Sequence, residues 1–559
     1  MQEFREAIVD VAAKAGLDPE LVRQSITIPK ERGRADLTLP CFRFGKPPTE
    51  PAQKVANAFV ASEWLEACEA TGPFVNFRFN RATFADRVLA TADETAGKSD
   101  EGAGQTVVID YGSPNIAKPL LFHHLRSSAI GQTLCNLFRW RGYTVVGLNF
   151  LGDVGTAFGK LMVGIEEWGE PTSIASFSKL YVDASKGCAD KPEWMERARE
   201  WAKRLEDDDA EAVKHWEKAR ELSLQGFAGV YDWLGIRHDV IDGEKMYVQR
   251  ARALVDELLA SGKAEESDGG VVIETGQKIP FLIRKTDGAT LYGTRDIVAA
   301  ADRFDRYEFA RMLYVVDVAQ ELHFRQLFAA LSKLGYDWVD RCKHVRFGQV
   351  LFEGSRTRTR EGGSVSLEDV LREGQRRALK IIEEKKADLP DKEAVAKSVG
   401  TAAVLFADVG FPSTKNINFV WDEILSFDGR TGPYLQYVHA SACSILRKGV
   451  EAGATDIASG DPALLADEHE WDLLRRLAEF PTSVKRACDD CEPSHVSNFL
   501  YELAREFRAY YTAGGRDASL RVLVDDAQMR AARLRLVDAV RNSLAVGLGL
   551  LGIDAVERM

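Results

Sequence analysis

The stretch Thr106-Val107-Val108-Ile109-Asp110-Tyr111-Gly112-Ser113-Pro114-Asn115-Ile116-Ala117-Lys118-Pro119 opens on a short β-branched run and breaks into a loop of Gly, Ser, Pro and Asn. Such a run predicts a strand buried on both faces, the kind that builds parallel sheets. Leu125, Ile130, Leu134, Leu137 and Phe138 then recur at helical spacing as far as Gly142, and Thr144 to Leu148 reads as a second strand. Together these segments make a βαβ unit, in which ligands bind where strand carboxyl ends meet helix N-termini.

Outward from that unit, Gly270 to Glu274, Pro280 to Arg284, Met312 to Val316 and Val345 to Leu351 are further strand candidates alternating with helical stretches. The expected fold class is therefore α/β, a doubly wound parallel sheet that gathers all of them. Residues from about Pro171 to Gln225 carry Trp, Lys, Arg, Asp and Glu at helical spacing and read as surface helices inserted between sheet elements. Before the sheet, Phe4, Ile8, Val11 and Ala12 mark a helix and Phe74 to Phe79 an alternating strand, which suits a small α+β domain. From about Lys392 strand signals vanish. Ser494 is placed to cap a helix bearing Val496, Leu500, Leu503 and Phe507, and a later helix bears Leu536, Val540, Leu544, Leu548 and Leu551. A chain of 559 residues exceeds a single core, and the expected domains are 1–100 (α+β), 101–391 (α/β with helical insertions) and 392–559 (all α).

With 45% hydrophobic and 28% charged residues the composition is that of a globular protein, which excludes disordered and collagen-like classes. No apolar run reaches a membrane span, and MQEFREAIVD is no secretory leader, so a cytoplasmic location is expected. Lys+Arg 73 against Asp+Glu 85 leaves a net charge of −12, which argues against a generic nucleic-acid coat protein and leaves a local basic track open. The eight cysteines are too dispersed for a disulfide framework. Cys488 and Cys491 form one CxxC without a second ligand pair, so two helix-face thiols are expected rather than a metal site.

Four loops could carry chemistry. The loop after the first strand puts Lys118 and His124 beside a helix N-terminus, a place suited to phosphate, or else its prolines merely shape a turn. Asn149-Phe150-Leu151-Gly152-Asp153-Val154-Gly155-Thr156 sets glycines and an acid at a strand end. Tyr292 and Asp296, four apart after an Asp287-Gly288 turn, share a helix face and could hold a cationic side chain, or belong to a capped surface helix. Arg356, Arg358 and Arg360, among small residues, could close over a polyphosphate or remain a solvated basic loop.

These segments resemble, in order, those of the class I arginyl-tRNA synthetases. SPNIAKP before a degenerate HIGH signature (Pro114 to His124), NFLGDVGTAFG against the family's NHVGDWGTQFG, DGATLYGTRDIVAA (287–300), YVVDVAQELHFRQLF (314–328), DGRTGPYLQYVHA (428–440) and LGLLGIDAVERM (548–559) carry the likeness, as does the N-terminal GPFVNFRF. The resemblance implies a Rossmann-type catalytic core, an N-terminal domain reaching the D-loop corner of tRNA and an anticodon-binding helical bundle. It implies ATP-dependent activation of L-arginine and its transfer to tRNA(Arg), with Mg²⁺ accompanying ATP, in a monomer.

By the same resemblance Asn115, Tyr292, Asp296 and Gln320 hold the substrate arginine; Lys118, His124, Arg358 and Arg360 are catalytic; and Pro114, His123, His124, Gly152, Asp153, Thr359 and Gly362 bind ATP. The family's HVGH reads here Leu121-Phe122-His123-His124, and its NHVGDWGTQ has lost His, Trp and Gln to Phe150, Val154 and Ala157. Two readings follow: an active enzyme with a repacked nucleotide pocket, or a paralogue with altered or lost adenylation that binds tRNA or arginine in a regulatory role.

Overall fold

The computed structural model describes residues 1–559 apart from 30–34, 117, 172, 278, 287, 353–354, 357–364, 387 and 455, and apart from the side chains at 175, 355 and 356. The chain forms two compact units, one from Met1–Ala96, Val438–Pro481 and Glu502–Val546, the other from Gly97–Tyr437, Thr482–Tyr501 and Gly547–Met559.

The larger unit is built on a five-stranded parallel sheet: β1 (Thr106–Asp110), β2 (Thr144–Leu151), β3 (Val240–Gly243), β4 (Arg311–Asp317) and β5 (Cys342–Phe347), in the spatial order β5-β4-β1-β2-β3. The register runs Tyr314 beside Asp110 beside Leu148 beside Val240. Val107, Val108 and Ile109 have no exposure, as a central strand covered on both faces requires. Helix α1 (His124–Trp140) follows β1, buries Leu125, Ile130, Leu134, Leu137 and Phe138, and is followed by Gly142 at φ +82°. Because β1 and β4 are neighbours whose onward connections diverge, the strand order reverses between them, and that switch point opens a crevice at the carboxyl ends.

Several sequence expectations are corrected here. Gly270–Ile273 and Phe281–Arg284 do not join the parallel sheet; with Glu265–Ser267 they form a separate antiparallel sheet. The reason is local. Ser267 and Gly270 are linked by Asp268 and Gly269, both at positive φ (48° and 80°), a two-residue hairpin turn, and the link from Ile273 to Phe281 is too short for a crossover helix. The candidate Val345 to Leu351 is two strands: β5 ends at Phe347, and Val350–Phe352 pairs in parallel with Ile417–Phe419, a strand inside the region expected to be wholly helical. Ser494 is the first residue of its helix (Ser494–Arg516), not its cap. Residues 392–437 belong to the sheet-bearing unit.

The inserted helices are Ile174–Asp190, Pro192–Glu206 and Ala210–Leu234; Trp201 and Leu205 pack against Phe158 and Met162 of the helix Thr156–Trp168, so this charged segment has a core of its own. A Cβ at Gly159 would stand 1.8 Å from the Ala198 carbonyl oxygen, which makes this helix crossing dependent on glycine.

In the smaller unit, the strands Leu37–Pro40, Phe74–Phe79 and Leu65–Thr71 form an antiparallel sheet with Phe74–Phe79 in the middle. Phe4, from the helix Gln2–Lys14, packs its ring 4.6 Å from Phe79, and Phe84 lies 5.0 Å from Trp471, a residue of the helix Glu468–Ala478 with no exposure. Arg475 pairs with Asp36 at 2.9 Å. Among the described residues no helix is long and apolar enough to cross a membrane, and all eight cysteines are free thiols. Cys488 and Cys491 are both buried; Cys488 lies in the helix Phe480–Asp490, whereas Cys491 follows it at φ +55°, so only the first is on a helix face.

Candidate active site at the switch point

At the carboxyl ends of β1, β2 and β4 lies a cavity of about 640 Å³. Its wall brings together Asn115, Gly152, Tyr292, Asp296 and Gln320, residues 205 positions apart at the extremes, which fold rather than proximity in sequence unites. Asn115 is held by a continuation of the sheet. The Gly152 N–H donates to the Pro114 carbonyl at 3.1 Å, and the Ile116 N–H donates to the Gly152 carbonyl at 3.1 Å. A Cβ at Gly152 would lie 2.2 Å from Asn115 Oδ1, so glycine here lets the Asn115 side chain keep its position against the strand end. Tyr292 and Asp296 belong to helix α2 (Tyr292–Tyr307), whose spacing of four does place both on the cavity face. Gln320 caps α3 (Glu321–Leu334) just beyond β4.

Three carboxylates reach this cavity, Asp110, Glu244 and Asp296, and each is braced from behind. Arg303, almost wholly buried, pairs with Asp110 at 3.0 Å, with its guanidinium 4.8 Å from the Phe150 ring. Arg295 meets Glu244 at 2.7 Å, and His323 Nε2 meets Asp296 Oδ2 at 2.8 Å. Burial pushes the Glu244 carboxyl up to about 7 against the opposing pull of Arg295. Sequence reasoning missed Asp110, Glu244 and His323 as site residues. Glu244 follows a four-residue strand too short to show periodicity, and His323 sits in a segment whose likeness to the family marked Gln320 alone.

Of the candidate nucleotide residues, Gly152 is on this cavity wall, whereas Pro114, Lys118, His123, His124 and Asp153 are not. His124 Nδ1 accepts the Leu121 N–H at 2.9 Å, so the neutral ring carries its proton on Nε2, a donor free for an anion. Burial, with His123 and Lys118 nearby, holds its pKa down at about 3. His123 is exposed, and its ring centroid is 4.2 Å from that of His124. Its backbone, at φ −67° and ψ −20°, is one any residue adopts, so a side chain here strains nothing. The Lys118 ammonium lies 5.6 Å from the Tyr181 ring centre, and Pro114 is buried under the loop. Asp153 is 1% exposed and accepts the Lys245 N–H at 2.9 Å, a strut between the ends of β2 and β3 rather than an open ligand; burial raises it to about 6. Arg358, Thr359, Arg360 and Gly362 lie outside the described residues, as does Asp287.

A crevice shaped for a small cation, beside a helix N-terminus with a neutral imidazole donor, can pair a basic amino acid with a phosphate ester. Comparison with known proteins bears on this arrangement along the whole chain. The family model described as "tRNA synthetases class I (R), catalytic domain" matches residues 87–421. "DALR anticodon binding domain" matches 435–559, and "Arginyl tRNA synthetase N terminal domain" matches 2–79. An arginine–tRNA ligase of Halothermothrix orenii is 38% identical over 576 residues, covering 100% of both chains. Arginine–tRNA ligase 1 of Bacillus cereus is 39% identical, covering 100% of this chain and 99% of the relative. Among solved structures, Thermus thermophilus arginyl-tRNA synthetase superposes with a TM-score of 0.83 at 26% identity, covering 100% of each chain. The Plasmodium falciparum enzyme, at 20% identity and a TM-score of 0.80, shares the fold.

Proposed function

The chain belongs to the class I arginyl-tRNA synthetases, and from that premise we propose that the switch-point cavity is the arginine subsite of an arginine–tRNA ligase. The reaction has two steps. The arginine carboxylate attacks the α-phosphorus of ATP, forming arginyl-adenylate and releasing pyrophosphate. A terminal ribose hydroxyl of tRNA(Arg) then attacks the arginyl carbonyl and releases AMP. The protein's part is to align the reacting atoms and to stabilise charge as it develops.

In this reading Asp296 and Glu244 face the guanidinium, Tyr292 shapes the slot, and Asn115 and Gln320 hold the amino-acid end toward the nucleotide. A carboxylate meets a guanidinium through two parallel hydrogen bonds and meets a lysine only as a point charge, which makes Asp296 the residue that selects arginine. His124 donates to the phosphates from its neutral ring, with Lys118 and the loop of Arg358, Thr359, Arg360 and Gly362 supplying positive charge. Pro114, His123 and Gly152 border the nucleotide, and Asp153 supports them. Mg²⁺ enters with ATP; among the described residues no cluster of three or more His, Cys, Asp or Glu side chains is gathered for a metal. The enzyme works in the cytoplasm as a monomer, its free thiols suiting a reducing compartment.

The observation that carries this reading is the meeting of Asn115, Tyr292, Asp296 and Gln320 on one cavity wall. The test is ATP–pyrophosphate exchange, scanned over all amino acids with and without tRNA(Arg). Exchange should depend on arginine and require the tRNA, and Asp296→Asn should lower kcat/KM for arginine about a hundredfold. Absence of exchange under every condition, with tRNA binding intact, would instead establish the altered paralogue.

A further inference from the structure

The three braces behind the cavity are not equivalent. Arg303 and Arg295 are guanidiniums, which remain charged and so cancel the carboxylates they hold. The third brace is an imidazole, which can donate a hydrogen bond without bringing a charge. Asp296 accepts only, so the 2.8 Å contact requires the proton to sit on Nε2 of His323. The ring is nine-tenths buried and is held by the Tyr292 ring at 4.9 Å and the Phe324 ring at 5.2 Å. Gly293 keeps the place narrow: a Cβ there would lie 2.6 Å from Phe281 and 3.5 Å from His323.

We propose that His323 is a positioning residue for the substrate side chain. It fixes Asp296 by a neutral hydrogen bond to one lone pair of Oδ2, leaves Oδ1 and the remaining lone pair of Oδ2 for the two donors of a guanidinium, and leaves the subsite, among the described residues, with a single uncompensated negative charge to match it. This rests on the arginine-site reading above. It adds that affinity depends on a donor at position 323 that carries no charge.

The test is calorimetric titration of the full-length protein with L-arginine, alongside exchange kinetics and thermal unfolding, for three variants. His323→Gln keeps a neutral donor of similar reach and should stay within about threefold of wild type in arginine affinity. His323→Leu removes the donor, and His323→Lys keeps a donor but adds a charge; each should weaken arginine binding about tenfold or more, with KM for ATP unchanged. Equal affinities for the Gln and Leu variants, or for Gln and Lys, would overturn the proposal, as would ATP and arginine constants that move together. If the Leu variant does not fold, the Gln–Lys pair decides. A wild-type chain that binds no arginine would strike down the arginine site itself, a different outcome from one in which binding occurs and ignores position 323.

Discussion

Glu244 enters the cavity from the end of β3 with its carboxyl held up at about 7 by burial, so its charge state changes within the working range of an enzyme. Below that pH the group keeps its proton and leaves the Arg295 charge uncancelled beside the substrate guanidinium; above it the carboxylate forms and cancels that charge. In the free enzyme, kcat/KM for arginine should therefore rise with pH through about 7 and then level off. Glu244→Gln should abolish that limb and lower the plateau about tenfold, as steady-state exchange across pH will show. A limb unchanged in the Gln variant would assign it to another group. Asn115, Tyr292, Asp296 and Gln320, which meet on one cavity wall, were legible as candidates because each stands in a long segment with a recognisable order of residues. Glu244 and His323 were not, because their roles come from partners 51 and 27 positions away, Arg295 and Asp296, which no local pattern announces.

At the scale of elements, helix α1 is fastened by a single buried cation. Arg126 donates to the carbonyls of Gly348, Ser413 and Lys415 and pairs with Asp408 of the helix Lys392–Val409 at 2.7 Å, with both side chains almost fully buried. Removing one partner strands the other charge in the interior. Asp408→Leu should cost about 3–5 kcal/mol in denaturant unfolding, whereas Arg126→Met with Asp408→Leu should cost clearly less than the sum of the two single changes. Strict additivity would mean that the pair does not act as a unit. The β-branched run of β1 and the helical period of α1 could be read directly from the residues. The hairpin at Asp268-Gly269 was misassigned although its turn chemistry was visible, because the apolar run of Gly270–Ile273 looks the same in a parallel or an antiparallel sheet. Ile417–Phe419 is three residues long, below what periodicity can register.

For the whole molecule, the net charge of −12 does not decide whether tRNA binds; the arrangement of 73 basic residues does. Binding to phosphates releases counterions, so affinity for tRNA(Arg) should fall about a hundredfold or more between 50 and 200 mM salt, measurable by filter binding. A salt-independent affinity would contradict a phosphate-tracking interface. The division into compact units was the least legible feature, since it depends on contacts between the ends of the chain: Phe84 on Trp471, Asp36 with Arg475. That closure has a consequence for biosynthesis. The first ~95 residues leave the ribosome long before residues 438–481 and 502–546 exist, so during the synthesis of the whole sheet-bearing unit their aromatic face has no partner. The nascent N-terminal segment therefore holds Phe84 and Asp36 without their later partners until Trp471 and Arg475 have been made, and the protein completes its oldest part last.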